Sequence, residues 1–155
     1  MINLDRTDKR ILNHLQKDGS LSNLELAEKV GLSASPCSRR VKALREAGII
    51  GKTVTVLEPR PLGLNLTALI HISMDRHTPD RFELFEAEIE SYPEVQECYL
   101  ITGQSSDYVL KVVVKDMEAY QQFLLGRLTR IPGVSGVQSS FVMKRAKDTT
   151  EIPIE

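Results

Sequence analysis

The sequence predicts an α+β protein of two unlike parts, an N-terminal helix-turn-helix followed by a ferredoxin-like βαββαβ domain. Three observations carry that prediction. The first fifty residues show helical periodicity with capping residues before each run and glycine after it. The remainder alternates strand and helix patterns in the order βαββαβ. Between them lies a stiff segment, Glu58-Pro59-Arg60-Pro61-Leu62-Gly63, which places the boundary so that the domains are 1–60 and 61–155.

Asp5 is placed to cap the first helix, which carries Ile11, Leu12 and Leu15 on one side and ends at Asp18-Gly19-Ser20. Ser22-Asn23-Leu24-Glu25 opens the second as a capping box, its serine taking the glutamate's backbone N–H while the glutamate reaches back. Its inner face reads as Leu24, Ala27 and Val30, and Gly31 stops it. The third begins at Ser33, holds Pro36 in its first turn, where a missing N–H costs no intrahelical bond, and stops at Gly48.

A helix, a turn of about four residues containing glycine and a second helix is the plan in which the later helix enters the DNA major groove. At about 100° per residue, Cys37, Val41, Leu44 and Gly48 share one sector, which must be the buried one. The opposite side shows Ser35, Arg39, Lys42, Ala43 and Glu46, with Ser38 at its edge. Arg39, one turn in, is placed for a guanine edge, whereas Arg40 and Arg45 flank the buried sector and suit phosphates. The expected DNA-binding set is therefore Ser35, Pro36, Ser38, Arg39, Arg40, Lys42 and Arg45, and Cys37 is a core residue.

Lys52 to Leu57 alternates like a strand, the linker strand of the first domain. Beyond the boundary the spacing predicts a strand at 67–75 with Ala68, Ile70, Ile72 and Met74 on one face, and a helix at 79–91 with Phe82, Phe85 and Ile89 inward. Strands at 95–102 and 108–115 follow. Next come a helix at 117–130 with Tyr120, Leu124 and Leu128 inward, and a strand at 134–144. Both helices of this plan lie on one face of the sheet. The other face lacks cover from its own chain, which predicts pairing with a second copy through this domain.

Charge divides at the same place. Residues 1–60 hold 11 Lys/Arg against 7 Asp/Glu, and residues 61–155 hold 9 against 14. An overall charge of −1 thus hides a basic half, as nucleic-acid binding requires, and an acidic one. No run approaches the roughly 18 apolar residues of a membrane span, and acid and base stand at the start where a signal peptide is apolar. With two cysteines and no CxxC pair, the expectation is a cytoplasmic protein without metal or membrane partner. His14, His71 and His77 stand apart, and GxGxxG, GxxxxGK[ST] and GxSxG are absent, so neither a catalytic residue nor an enzyme is expected.

Several motifs resemble those of the Lrp/AsnC (leucine-responsive, "feast/famine") transcription regulators. They are Asp5-x-x-Asp8-x-x-Ile11-Leu12-x-x-Leu15-Gln16-x-Asp18-Gly19, then Leu26-Ala27-x-x-Val30-Gly31-Leu32-Ser33, then Pro36-Cys37-x-x-Arg40-Val41-x-x-Leu44-x-x-x-Gly48-Ile49-Ile50. Pro93-x-Val95-x-Glu97-Cys98, Thr102-Gly103, Asp107-Tyr108 and Pro132-Gly133-Val134 extend the likeness over nearly the whole chain. The resemblance implies a sequence-specific DNA-binding regulator with a winged helix-turn-helix joined to a ligand-sensing ferredoxin-like domain, dimers that build octamers or larger rings, and a small amino-acid effector bound where dimers meet. It also implies an effector loop with two residues between its glycine and Asp-Tyr; here Gln104, Ser105 and Ser106 make three.

An amino-acid zwitterion needs an anion for its ammonium, donors for its carboxylate and an apolar wall for an aliphatic side chain. On the resemblance, Asp107, then Gly103 with Ser105 or Ser106, then Ile131-Pro132-Gly133-Val134 supply these, and leucine or methionine is the expected effector. From the residues alone, Gly103 to Asp107 also reads as a plain hairpin turn. Two other functions compete: a ligand-insensitive, nucleoid-associated protein that wraps DNA, and a metabolic enzyme's regulatory subunit. The basic outward face of the third helix argues against the second of these.

Overall fold

The computed structural model describes residues 3–103 and 105–154. It forms two compact units, one of Met1–Val56 with Ala146–Glu155 and one of Leu57–Arg145.

The first unit holds α1 (Arg6–Leu15), α2 (Asn23–Val30) and α3 (Ala34–Glu46). The start signals work as their chemistry requires: Asp5 and Asp8 form one reciprocal capping box, Ser22 and Glu25 another. Ser33 stands at the N-cap of α3, but its hydroxyl makes no capping bond. Gly31 and Gly48 take φ of 70° and 72°, the left-handed turn that lets α2 and α3 stop without a Cβ clash. Ile11, Leu12, Leu26, Ala27, Val30, Cys37 and Leu44 make the core, and burial pushes the Cys37 thiol up from its ordinary pKa.

The inner face of α2 differs from the expectation. Leu24 is 64% exposed and Leu26 is buried in its place. Along a helix Leu26 lies about 40° from Val30, whereas Leu24 lies about 120° from it. The expected strand at 52–57 also does not form: among the described residues no ladder pairs with it, and Val54 and Val56 stand exposed. Alternation supplies a face for a strand, but a strand needs a neighbour to exchange hydrogen bonds with.

Residues 146–155 belong with this first unit, whereas the sequence boundary assigned everything beyond residue 60 to the second. The reason is a pair of bonds across 136 positions. The Gln16 side-chain amide donates to the Ile152 carbonyl at 3.0 Å and accepts from the Ile152 N–H at 3.0 Å. Gln16 thereby stands in for a peptide group beside the tail, and Ile154 packs on the helical core.

The second unit runs β1 (Leu66–Met74), α4 (Pro79–Glu90), β2 (Val95–Leu100), β3 (Tyr108–Val114), α5 (Met117–Gly126) and β4 (Val134–Phe141). Its antiparallel sheet has the order β2-β3-β1-β4, as the ferredoxin-like plan demands. Period-two alternation sends Ala68, Ile70, Ile72, Met74, Leu110 and Val112 into one core with Phe85, Ile89, Tyr120, Phe123 and Leu128 of the helical layer. Each of the Val, Leu, Ile, Phe and Met side chains among them contributes about 1.5–3 kcal/mol by leaving water. Tyr108 is buried with its hydroxyl donating to Glu86 Oε1 at 2.6 Å, and burial followed by that carboxylate raises its pKa.

The expected helix at 117–130 is broken. Arg127 leaves helical geometry at φ −131°, and a single 3₁₀ turn, Leu128–Arg130, follows. Its guanidinium lies 4.2 Å over the Tyr92 ring and donates to Glu94 Oε1 at 2.7 Å, contacts outside the reach of periodicity. On the sheet face away from the helices, Leu69 and Tyr99 are exposed beside a Lys111–Glu97 ion pair of 2.8 Å, so this face is mixed rather than apolar.

Candidate functional site

Two places in the fold present chemistry. The first is the outer face of α3. Ser35, Ser38, Arg39, Lys42, Ala43 and Glu46 are exposed, Pro36 and Val41 half-buried, and Cys37 and Leu44 buried, which is the division the helical period predicts except at Gly48, which follows the last helical turn and is exposed. Arg39 and Arg45 make no ion pair among the described residues, and Lys42 has only a 3.7 Å approach to Glu46 across one turn. These three cations are held on a rigid helix and remain open to anions. The helix is itself tied down at its start by Asn23, whose side-chain amide donates to the Ala34 carbonyl at 2.8 Å.

Arg40 stands differently from its neighbours. Its Nη1 donates to Asp5 Oδ2 at 2.7 Å and to Asp8 Oδ1 at 2.8 Å, so one nitrogen of the guanidinium grips α1. Arg10 makes a comparable tie from α1 to the end of α2, donating to the carbonyls of Val30 at 3.2 Å and Lys29 at 3.0 Å. Sequence periodicity saw Arg40 on the flank but could not see which acids it would meet.

The second place is one end of the sheet in the second unit. Because β1 lies between β3 and β4, the loops that leave β1, enter β3 and enter β4 meet there. Two groups of expected effector residues, Gly103, Ser105, Ser106 and Asp107 on one loop and Pro132, Gly133 and Val134 on another, thus flank the end of β1. Gln104 lies outside the described residues. Gly103 and Ser105 are exposed at the tip, and Gly103 takes φ +81°.

Several of these groups already have partners within the chain. Asp107 Oδ2 accepts from the Met74 N–H at 2.7 Å, and Oδ1 lies 2.8 Å from Nε2 of the exposed His77. Ser106 is buried, its hydroxyl 3.1 Å from His71 Nδ1, which leaves Ser105 as the accessible serine. Ile131 is 4% exposed and belongs to the core, so Pro132 and Val134 are what remains of the expected apolar wall.

Sequence reasoning missed the contribution of β1 to this end. The Asp75 N–H donates to the Gly133 carbonyl at 2.8 Å, Ser135 donates to the Ser73 carbonyl at 3.0 Å, and Arg81 reaches Asp75 at 3.4 Å. Gly133, at φ +97°, lies so close to Met74, Asp75 and Arg81 that a Cβ would meet all three at 3.1–3.3 Å. The available signal was topological: in a βαββαβ sheet the first strand is central, so the loop after it must join the other two.

Comparison with known proteins places each unit in a described domain family. A family model described as winged helix-turn-helix DNA-binding matches residues 4–50, and one described as the Lrp/AsnC ligand binding domain matches residues 67–152. The transcriptional regulator AzlB of Bacillus subtilis is 47% identical over 154 residues, covering 99% of this chain and 98% of that protein. The leucine-responsive regulatory protein of Escherichia coli K12 is 41% identical over 152 residues, covering 98% and 92%. Among solved structures, the Neisseria meningitidis transcriptional regulator NMB0573 in complex with L-Met superposes with a TM-score of 0.93 at 44% identity, covering 97% of each chain. With a basic helix face in one unit, a ligand-binding fold in the other and relatives of this identity over full length, the chain belongs to the Lrp/AsnC family of DNA-binding transcriptional regulators and is not an enzyme.

Proposed function

We propose that this regulator answers to an aliphatic amino acid, leucine or methionine, bound at the loop end of the sheet in its second unit. The observation that supports this is the convergence there of a carboxylate (Asp107), open backbone at Gly103, the Ser105 hydroxyl and a small apolar wall of Pro132 and Val134. The relatives point the same way, since one is named leucine-responsive and another was solved with L-Met. The ammonium competes with His77 for Asp107 Oδ1, because His77 is exposed whereas the Met74 amide is fixed in the strand. A charged side chain would find no partner against Pro132 and Val134.

DNA is read by α3, with Arg39 on base edges, Lys42 and Arg45 on phosphates and Ser35, Pro36 and Ser38 at the helix start. Dimers form through the uncovered sheet face of the second unit and assemble further, to octamers on the family pattern. The free thiols of Cys37 and Cys98 accord with a cytoplasmic setting.

A thermal-shift screen of the twenty amino acids tests the effector reading. A ligand present at 100 times its Kd stabilises the protein by about 2.7 kcal/mol. Leucine or methionine should raise the melting temperature and lysine or glutamate should not. Silence from all twenty would favour a ligand-insensitive architectural role.

A further inference from the structure

Asp5 and Asp8 sit at an awkward place for two acids. The capping box that starts α1 brings their carboxylates together: Asp5 Oδ1 accepts the Asp8 N–H at 2.8 Å and Asp8 Oδ2 accepts the Asp5 N–H at 3.2 Å. Two like charges at this spacing repel, and the helix N-terminus offsets that only in part. The remaining oxygen of each carboxylate accepts from one atom, Arg40 Nη1, so all four carboxylate oxygens are engaged. Bonds to the Asp8 N–H and then to Arg40 hold the Asp5 carboxyl below its usual range, and bonds to Asp8 and then to Asp5 hold the Arg40 guanidinium above its own. The Asp8 side chain is 17% exposed, that of Arg40 36% and that of Asp5 52%, so shielding from water is greatest at the Asp8 end of the trio.

The geometry points to Arg40 as a positioning residue: by bridging the capping box of α1 it sets the attitude of α3, and it makes no phosphate contact of its own. This rests on α3 being the DNA-reading helix. Arg40 lies one residue after Arg39 and two before Lys42 on that rigid helix, so a rotation of α3 about its axis moves both from their targets together. The trio carries a net −1, so the cations available to DNA on α3 are Arg39, Lys42 and Arg45.

Charge and position predict opposite outcomes, which makes the idea testable on the full-length protein. Anisotropy titrations would compare a duplex chosen by in vitro selection with a random-sequence duplex, each over a series of salt concentrations. For Arg40→Ala we expect the affinity ratio of selected to random duplex to fall about tenfold with no change in the salt slope, whereas a lost phosphate contact lowers that slope by about 1. The pair Asp5→Asn with Asp8→Asn is the sharper variant. It removes negative charge beside a DNA-binding helix and frees Arg40, so a phosphate role predicts tighter binding to both duplexes; positioning predicts the same loss of discrimination as Arg40→Ala. Exchanging the charges, Arg40→Asp with Asp8→Arg, should restore part of that discrimination.

Circular dichroism at the assay temperature confirms that each variant is folded. Because exchange restores the pair, a variant that melts does not decide the matter alone. Tighter binding by the Asn pair, or a reduced slope for Arg40→Ala, would overturn the inference. Unchanged binding by Arg39→Ala and Lys42→Ala would instead show that α3 is not the reading helix, and the inference would fall with that reading.

Discussion

The two units expose their chemistry in contrasting ways. On α3 the exposed cations Arg39, Lys42 and Arg45 stand on successive turns of one helix, left open because their neighbours on the buried side take care of packing. At the loop end of the second unit the polar groups are gathered from three segments, and several are already engaged: Asp107 with Met74 and His77, Ser106 with His71, Ser73 with the Ser105 carbonyl. A surface for a large polyanion needs charge held outward on a firm support. A site for a small zwitterion needs groups that are preorganised and partly exchangeable, since a ligand must beat the bonds it replaces. An open cation suits the first task and a partnered carboxylate the second, for opposite reasons.

The largest effect tests the support itself. Leu26→Ala should cost the first unit about 2–5 kcal/mol, because Leu26 is buried among Ile11, Ala27 and Val30, while the exposed Leu24→Ala stays within about 0.5 kcal/mol. Urea melts followed by hydrogen exchange in α1 to α3 would separate the two. Comparable losses would mean that the inner face of α2 has been assigned to the wrong leucine.

Next comes the exchangeable carboxylate. Asp107→Asn removes a charge-assisted bond worth about 1.5–3 kcal/mol, and effector affinity should fall by about one to two orders of magnitude. Basal DNA binding should persist. Calorimetry with leucine and methionine on both proteins decides it, equal affinities clearing Asp107 of the role.

On α3, Arg39→Ala should lower specific affinity by about 1–3 kcal/mol and relax preference at one base position. Lys42→Ala should weaken all sequences alike and reduce the salt slope by about 1. Selection experiments on each variant would blur the distinction between base and phosphate contacts if both shifted preference equally.

The smallest effect concerns the tail. Gln16→Ala deletes both bonds to Ile152 and should destabilise the first unit by about 0.5–1.5 kcal/mol, seen most directly as faster exchange of the Ile152 amide. Exchange at the wild-type rate would indicate that Ile154 alone holds the segment.

Much of this was legible in the sequence because it is local. A capping box spans four residues, a glycine stop one, and a helix face repeats every 3.6, so α1 to α3, their ends and the outward side of α3 follow from short windows. The βαββαβ order and the inward faces of β1 and α4 follow in the same way. What local windows miss are pairings between distant residues. They offered Arg40 to phosphate, Ile131 to a ligand wall, and Lys52 to Leu57 to a strand, because each has the right character for those places.

The sequence by itself therefore determined most of the elements, the two-part plan, the family and the outward face of α3, since each depends on side chains a few positions apart. Only the tertiary structure decided where the polar groups spend their hydrogen bonds. It gave Arg40 to Asp5 and Asp8, Asp107 to Met74 and His77, Gln16 to Ile152 and Ile131 to the core. The physical reason is competition: a donor or an apolar side chain goes to the partner the folded chain brings within reach, and that partner is set by topology.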